Sequence, residues 1–434
     1  MKKWVTVMLT VMLVFTLAAC GGKATTTTTP EAEPPATTTP AGEEQVAEEQ
    51  ATEELVPEEG ATLVVWESKE ARPFVEEIAK EFTEKYNVPV KFEELAGADQ
   101  VNKLMTDGPA GIGADVVLFP HDNLGKAVSA GLVMPNEVFA EEVTAANSEL
   151  TINASSYEDV LYGYPRAVES YIMFYNKALL PTPPSSMEEV MELAKTMNNP
   201  DKKQYTFMWE VGNFYYDYLF LATTGGYIFG NNGTDKTDIG LNNEGAVKGI
   251  AFEQQFAKAV LPLKTSDVTN DIKMGLFTNG QLAISVDGPW AIGTLKKSGI
   301  DVGAAPIPTI DGKPSVSLSG VKSWYVNQFT KYPDAAQLFA YFASTKEAQM
   351  KEFEMIGSVP ANKEVAADPK VTSDPFTIAI LEQFKNSYPM PSIPEMNSVW
   401  SPMASGIGDV LNIGKDPKQA LDSAVKQLKE AIGQ

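Results

Sequence analysis

The chain has 434 residues, 44% of them apolar, and a formal net charge of −23. That length exceeds one typical domain and the apolar share is that of a packed globular protein, so two lobes are expected. The acidic balance argues against nucleic acid and anionic lipid as partners, and with one cysteine no internal disulfide can form, so the core must be stable by packing alone.

Two lysines, Lys2 and Lys3, open the chain, and an apolar run from Trp4 to Leu17 follows. The run is too short to span a bilayer and ends in small residues, which reads as a signal peptide over residues 1–19. The sole cysteine follows directly, as Leu17-Ala18-Ala19-Cys20, and that arrangement resembles the bacterial lipobox. It implies export, cleavage before Cys20 and acylation of the Cys20 thiol. Two acyl chains, at about 0.8 kcal/mol per buried methylene, would hold the protein on the outer face of the cell membrane. Residues 20–60 carry ten glutamates, one lysine, threonine runs and prolines, without an aromatic residue. Such a segment cannot bury enough apolar surface to order itself and reads as a tether. About 40 flexible residues span roughly 35 Å, and charge repulsion extends them further.

Order is expected from Thr62. Leu63-Val64-Val65-Trp66 is a continuous apolar run, as in a strand buried on both faces. Pro73 fits the first turn of the next helix, and Phe74, Ile78 and Phe82 recur at every fourth position to form one apolar stripe. A second strand is predicted over Val88 to Leu95, a short helix around Val101 to Met105, and a third strand over Asp115 to Phe119. The alternation predicts a parallel sheet covered by helices. The pattern resumes with a strand at Tyr171 to Tyr175 and a helix capped by Ser185 or Ser186. A strand at Leu282 to Val286 then runs into Asp287-Gly288-Pro289-Trp290. Amphipathic helices are predicted over Pro333 to Tyr341 and Pro417 to Ile432, the latter capped by Asp416. No internal repeat of fixed period is present. The fold class is α/β, two-lobed, with parallel-rich sheets flanked by helices and a ligand cleft beyond the carboxyl ends of the strands.

The residues are poor in catalytic constellations. His121 is the single histidine, and ordinary hydrogen bonding at a helix start or loop is the better reading of it. There is no Gly-x-Ser-x-Gly elbow and no phosphate-cradling Gly-x-x-x-x-Gly-Lys loop. Thiol catalysis and Cys-rich metal sites are excluded by the count once Cys20 is lipidated. Paired carboxylates for glycoside hydrolysis stay open, because any two of the 57 acids could lie about 5–9 Å apart. Aromatic residues cluster where loops are expected. Trp209 is followed by Asn213-Phe214-Tyr215-Tyr216-Asp217-Tyr218, Trp290 follows Gly-Pro, and Trp400 follows a Pro-rich stretch. A flat ring can stack on the apolar face of a sugar while carboxylates and amides take its hydroxyls.

Taken together, these blocks resemble the maltose and maltodextrin-binding proteins that serve ABC sugar importers. The resemblance rests on Leu63-Val64-Val65-Trp66, Asp115-Val116-Val117-Leu118-Phe119-Pro120-His121-Asp122, Tyr164-Pro165-Arg166-Ala167-Val168-Glu169 and Gly225-Gly226-Tyr227. Asp287-Gly288-Pro289-Trp290-Ala291 and Met390-Pro391-Ser392-Ile393-Pro394-Glu395-Met396 with Trp400 complete it. It implies a type II periplasmic-binding-protein-like fold with three hinge crossovers, near Glu169 to Ile172, Leu318 to Ser323 and Pro369 to Phe376. The lobes would be residues 61–168 plus 323–370 and residues 172–318 plus 376–434. Closure about the hinges would present the ligand to ABC permease subunits. Carried over by position, Trp290, Trp400 and Tyr215 are stacking residues, Asp122 and Glu169 accept hydroxyl hydrogen bonds, and Met390 is an apolar contact. Departures fall at Phe119, where the family has tryptophan, at Asn123, where it has arginine, and at Asn213, where it has glutamate and Glu210 stands nearby. The loop Glu67-Ser68-Lys69-Glu70 differs from the family's Gly-Asp-Lys and leaves Glu67 and Lys69 as candidates. The resemblance therefore implies a monomeric malto-oligosaccharide receptor, not an enzyme, with no cofactor or metal. A different oligosaccharide or polyol, or a surface glycoside hydrolase, is the alternative.

Overall fold

The structure, a computed structural model, describes residues 55–434. The signal peptide, the Cys20 lipidation site and the tether up to residue 54 lie outside the described residues.

Two sheets organise the chain. The larger is seven-stranded and runs in the order Val359–Pro360, Tyr164–Ser170, Ser317–Val326, Val116–Pro120, Leu63–Glu67, Val90–Glu94, with Ser387–Pro389 paired to the start of Ser317–Val326. The smaller is four-stranded, in the order Val302–Ala305, Ile172–Asn176, Leu282–Asp287, Tyr205–Met208. The opening β-α-β-α-β run is parallel, as its alternation predicts: Leu63–Glu67 pairs in parallel with both Val90–Glu94 and Val116–Pro120. The sheets as wholes are mixed. Ser317–Val326 runs antiparallel to Val116–Pro120 and to Tyr164–Ser170, and Ile172–Asn176 runs antiparallel to both of its neighbours. Tyr164–Ser170 in the larger sheet passes into Ile172–Asn176 in the smaller one through Tyr171 alone, so the chain changes sheet there without a helical crossover.

The strand sequences are apolar without alternation because both faces are covered. In Val116–Pro120, Val116 and Leu118 join the apolar cluster built with Phe74, Phe82, Trp324 and Phe339, whereas Val117 and Phe119 join the one built with Trp66, Leu104 and Tyr325. The two-residue period of the pleat sends successive side chains into different cores. The first helix, Arg72–Tyr86, buries Phe74, Val75, Ile78, Ala79 and Phe82 and stops at Asn87, which takes a left-handed conformation at φ 55°. Ser186 caps Met187–Met197 through its side chain, and Asp416 caps Pro417–Ala431. The smaller sheet and the helices on it form a separate core that includes Trp209, Phe220, Phe256, Met403 and Leu428.

The segment after Trp209 differs from its sequence reading as a loop. Phe214–Thr223 is a helix, capped by Asn213, and Phe214, Tyr216 and Tyr218 are buried in it. Its tyrosines and phenylalanines pack on three sides, so no polar face marks it as helical in the sequence. Within this core Asp217 lies against Glu253 of Glu244–Val260, both fully buried. The Trp209 Nε1 donates to Asp217 Oδ1 at 2.8 Å. Burial pushes Asp217 up to about 7, and burial followed by the neighbouring Asp217 charge pushes Glu253 well above the usual carboxylate range. Two acids hydrogen-bonded to one another need a proton between them. Because both native values are raised, the stability they contribute is full below about pH 4 and is lost as the pH rises through about 7. Glu253→Gln keeps a donor for Asp217 without the ionisation. Its melting temperature at pH 8 should exceed that of the wild type by about 3 °C or more, with the gap closing toward pH 4, in calorimetric scans across that range.

Candidate functional site

A cavity of about 750 Å³ opens between the two sheets. Its residues come from the carboxyl ends of strands and the turns that follow them, where side chains from different elements converge. From the larger sheet, Glu67 ends its strand, Asp122 and Asn123 lie in the turn after Val116–Pro120, and Glu169 stands next to last in Tyr164–Ser170. From the smaller sheet, Glu210, Asn213 and Tyr215 follow Tyr205–Met208, and Trp290 follows Leu282–Asp287. Met390 and Trp400 complete the lining. Ten of the twelve sequence candidates thus share one cavity, and Phe119 and Lys69 do not.

Phe119 is fully buried and stacked on Tyr325, ring centroids 4.0 Å apart and planes 5° from parallel. The strand alternation explains this: Leu118 and Pro120 reach the cavity, so Phe119 between them points to the opposite face. Lys69 is exposed at the rim and pairs with Asp271 at 3.1 Å. It lies beyond Glu67, whose carboxylate turns inward to Ser68 Oγ at 2.9 Å and to Arg166 at 3.4 Å. Arg166 is itself held by Glu352 at 2.9 Å.

The aromatic wall is built on a buried ion pair. Lys273 and Asp287 are both fully buried, 2.9 Å apart, and Lys273 also donates to the Val286 carbonyl at 2.7 Å. Asp287 Oδ1 accepts from the Trp290 Nε1 at 2.5 Å and from the Gly288 amide at 3.1 Å. The indole folds back over Gly288 so closely that a Cβ there would lie 2.2 Å from the ring. Trp290 is therefore half-buried, with its plane fixed from behind. Tyr215 stands 6.2 Å from it, centroid to centroid, and packs on Tyr171 and Tyr216. Trp400 opens its helix and leans edge-on against Phe214.

The opposite wall is acidic. Burial first, then the Glu169 charge, pushes Asp122 up to about 7. Asn123 Nδ2 donates to Asp122 Oδ2 at 3.2 Å and the Trp400 indole N–H also acts on that carboxyl, while the Tyr215 hydroxyl lacks a hydrogen-bond partner among the described residues. Buried polar atoms are rarely left so, and an orphan in a cleft wall is an open position for a ligand. Glu169 pairs with Lys322 at 2.9 Å. Asn213 donates to Glu210 at 3.0 Å and, as the helix cap, accepts from the Tyr215 amide. Lys322 was missed by sequence reasoning, although a lone lysine in the buried strand Ser317–Val326 is a signal.

His121 is buried beside the site. Its Nδ1 accepts from the Val321 amide at 3.1 Å, which leaves Nε2 to donate to the Met390 carbonyl at 2.8 Å. Burial holds its pKa down to about 4, so the ring is neutral and serves to join three segments. A second cavity, of about 670 Å³, shares Met390 and otherwise none of the candidates. Among the described residues no cluster of three or more His, Cys, Asp or Glu could hold a metal ion.

A two-lobed α/β fold with a cavity walled by aromatic rings on one side and carboxylates on the other is that of a solute-binding protein. The pattern of the bacterial extracellular solute-binding protein family matches residues 77–377, and this chain belongs to that family. It is 35% identical over 382 residues to a galactooligosaccharide-binding protein of Bacillus subtilis, which covers 86% of this chain and 90% of that one. It is 31% identical over 378 residues to a maltooligosaccharide ABC transporter solute-binding lipoprotein of Streptococcus pneumoniae, over 86% and 89% of the two chains. A cyclo/maltodextrin-binding protein solved in complex with maltotetraose matches the fold with a TM-score of 0.70 at 37% identity, over 86% of this chain and 97% of that one. These relatives are named as solute-binding and oligosaccharide-binding proteins.

Removing one member of the buried pair under Trp290 should be costly. Asp287→Ala strands the Lys273 ammonium and is expected to lower stability by about 3–5 kcal/mol in urea unfolding, whereas Asp287→Leu combined with Lys273→Met should recover most of that loss.

Proposed function

We propose that this chain is the substrate-binding component of an ABC importer and that it takes maltose and malto-oligosaccharides into the cleft between its sheets, without catalytic turnover. The observation that carries the reading is the pairing of walls. The half-open ring of Trp290, with Tyr215 beside it, lines one cavity together with Trp400, Asp122 and Glu169, and that cavity is large enough for several sugar units. Rings stack on the C–H faces of glucose; carboxylates accept from its hydroxyls. Asn123, Asn213, Glu210 and Glu67 supply further polar positions, and Met390 an apolar one. The lobes are residues 61–168 plus 323–370 and residues 172–318 plus 376–434, joined by crossovers near Glu169 to Ile172, Leu318 to Ser323 and Pro369 to Phe376. Support for that division comes from the separate cores and from the single residue between Tyr164–Ser170 and Ile172–Asn176. Ligand-driven closure is then what permease subunits read. The protein acts as a monomer, anchored on the exterior of the cell membrane through lipid at Cys20, and no nucleic acid or cofactor takes part.

A galacto-oligosaccharide is the second reading, favoured by the Bacillus subtilis relative named for that ligand. Calorimetry of the mature chain with maltotriose and with a β-linked galactotriose separates the two. Maltotriose should bind with micromolar or tighter affinity, about −8 kcal/mol or better. Trp290→Ala and Trp400→Ala should each weaken it about ten-fold while the domain stays folded. Tight binding of the galactotriose alone would move the ligand to the second reading, and unchanged affinity in both tryptophan variants would remove stacking as the mode of recognition.

A further inference from the structure

We propose that Lys322 is a ligand-positioning residue of the cleft, donating to an oxygen of the bound sugar, and that its contact with Trp290 joins the two walls when the cleft is closed. The inference rests on the sugar-binding reading above.

Lys322 is the only charged residue in Ser317–Val326, and the rest of that strand is buried. Its cross-strand neighbours are Pro120 on one side and Ala167 on the other, so neither offers its side chain a polar partner. The ladder slips between Lys322 and Ser323, and the Lys322 ammonium goes to Glu169, at 2.9 Å, on the adjacent strand. Burial works against that charge, but the Glu169 and Glu67 carboxylates outweigh it and hold the Lys322 pKa above its ordinary value. The side chain is a cation that keeps its proton.

An ammonium has three N–H donors. One serves Glu169. The ammonium also lies 5.1 Å from the centre of the Trp290 indole, which is carried by the other sheet, and is attracted to that ring. At least one donor is unspent, directly beside the ring on which a sugar would stack. Of the other cations near the cavity, Lys273 is fully buried on Asp287 and the Val286 carbonyl and Arg166 on Glu352 and Glu67, while Lys126, which lines the cavity and donates to Asn102 at 2.6 Å, has no contact with the Trp290 ring.

A sugar presents hydroxyl hydrogens and also oxygens that only accept, the ring and glycosidic ones. Glu169, paired with Lys322, answers the hydrogens; Lys322 answers the oxygens. Its placement also separates the two contacts by wall. Glu169 shares the larger sheet with Lys322 and stays with it when the walls part, whereas Trp290 belongs to the smaller sheet and leaves.

The test compares Lys322→Met, which keeps the stem and removes charge and donors, with Lys322→Arg, which keeps both. Maltotriose and galactotriose are titrated calorimetrically into the mature protein, and each variant is also melted. Lys322→Met should lose ten-fold or more in affinity for whichever sugar binds the wild type and, with Glu169 left unpaired, melt lower, whereas Lys322→Arg should stay within about three-fold and melt within a few degrees of the wild type. A residue with a merely structural role would lower the melting temperature without this split. Equal affinity of Lys322→Met and wild type overturns the proposal. If the wild type binds neither sugar, the ligand reading has failed separately. The wall contact is judged in the closed state, at saturating sugar for each variant, from the tryptophan emission difference between wild type and Lys322→Met, which should vanish in a Trp290→Phe background. No such difference overturns the contact.

Discussion

The indole of Trp290 can stand half-exposed in a water-accessible cleft, in one orientation, because a charge pair lies buried beneath it. A carboxylate in a protein core is tolerated only when its lone pairs are spoken for, and those of Asp287 are met by Lys273, the Gly288 amide and the Trp290 N–H. The reward of that arrangement is geometric. An exposed tryptophan held only by packing would sample several rotamers, and binding would have to freeze it; here the hydrogen bond from below has already fixed the plane. Gly288 completes the constraint, since the ring occupies the space any other side chain would need. Tyr215, Tyr216 and the Lys322 ammonium are arranged around that fixed plane.

The other wall answers with carboxylates, and their proximity has an electrostatic consequence. Asp122, buried and facing Glu169, resists ionisation up to about pH 7. The site tolerates the crowding because cations are interleaved with the acids: Lys322 beside Glu169, and Arg166 between Glu67 and Glu352. The result is a cleft with carboxyl groups, one ammonium near a half-exposed ring, and apolar surface between them. A neutral, polyhydroxylated ring system fits that surface better than an ion of either sign.

The parts legible in the sequence were those governed by local rules. The apolar run Leu63-Val64-Val65-Trp66, the four-residue stripe of Phe74, Ile78 and Phe82, and the Asp416 cap each report a neighbourhood a few residues wide, and the corresponding elements stand where they were expected. Cavity residues such as Trp290 and Asp122 were reached through the resemblance of their blocks, which encodes tertiary placement that periodicity does not. What was illegible depends on side chains far apart in sequence. The antiparallel insertion of Ser317–Val326 between Val116–Pro120 and Tyr164–Ser170 leaves no local mark. The helix at Phe214–Thr223 was hidden because it is apolar nearly all round. Phe119 was misplaced because homology of position does not reveal which face of the pleat a residue occupies; the strand's two-residue period, applied with Leu118 and Pro120 known to face the cavity, does. The Lys273–Asp287 pair joins residues fourteen positions apart on a helix and a strand, and only packing brings them together.

The central claim is that a malto-oligosaccharide lies between the two walls with its rings against the tryptophans. A crystal structure of the mature protein grown with maltotriose tests it most directly. The account predicts glucose units stacked on Trp290 and Trp400, hydroxyls within hydrogen-bonding distance of Asp122 and Glu169, and the sheets drawn together around them. A sugar seated anywhere else on the protein, or a cleft that stays empty at saturating maltotriose, would contradict it.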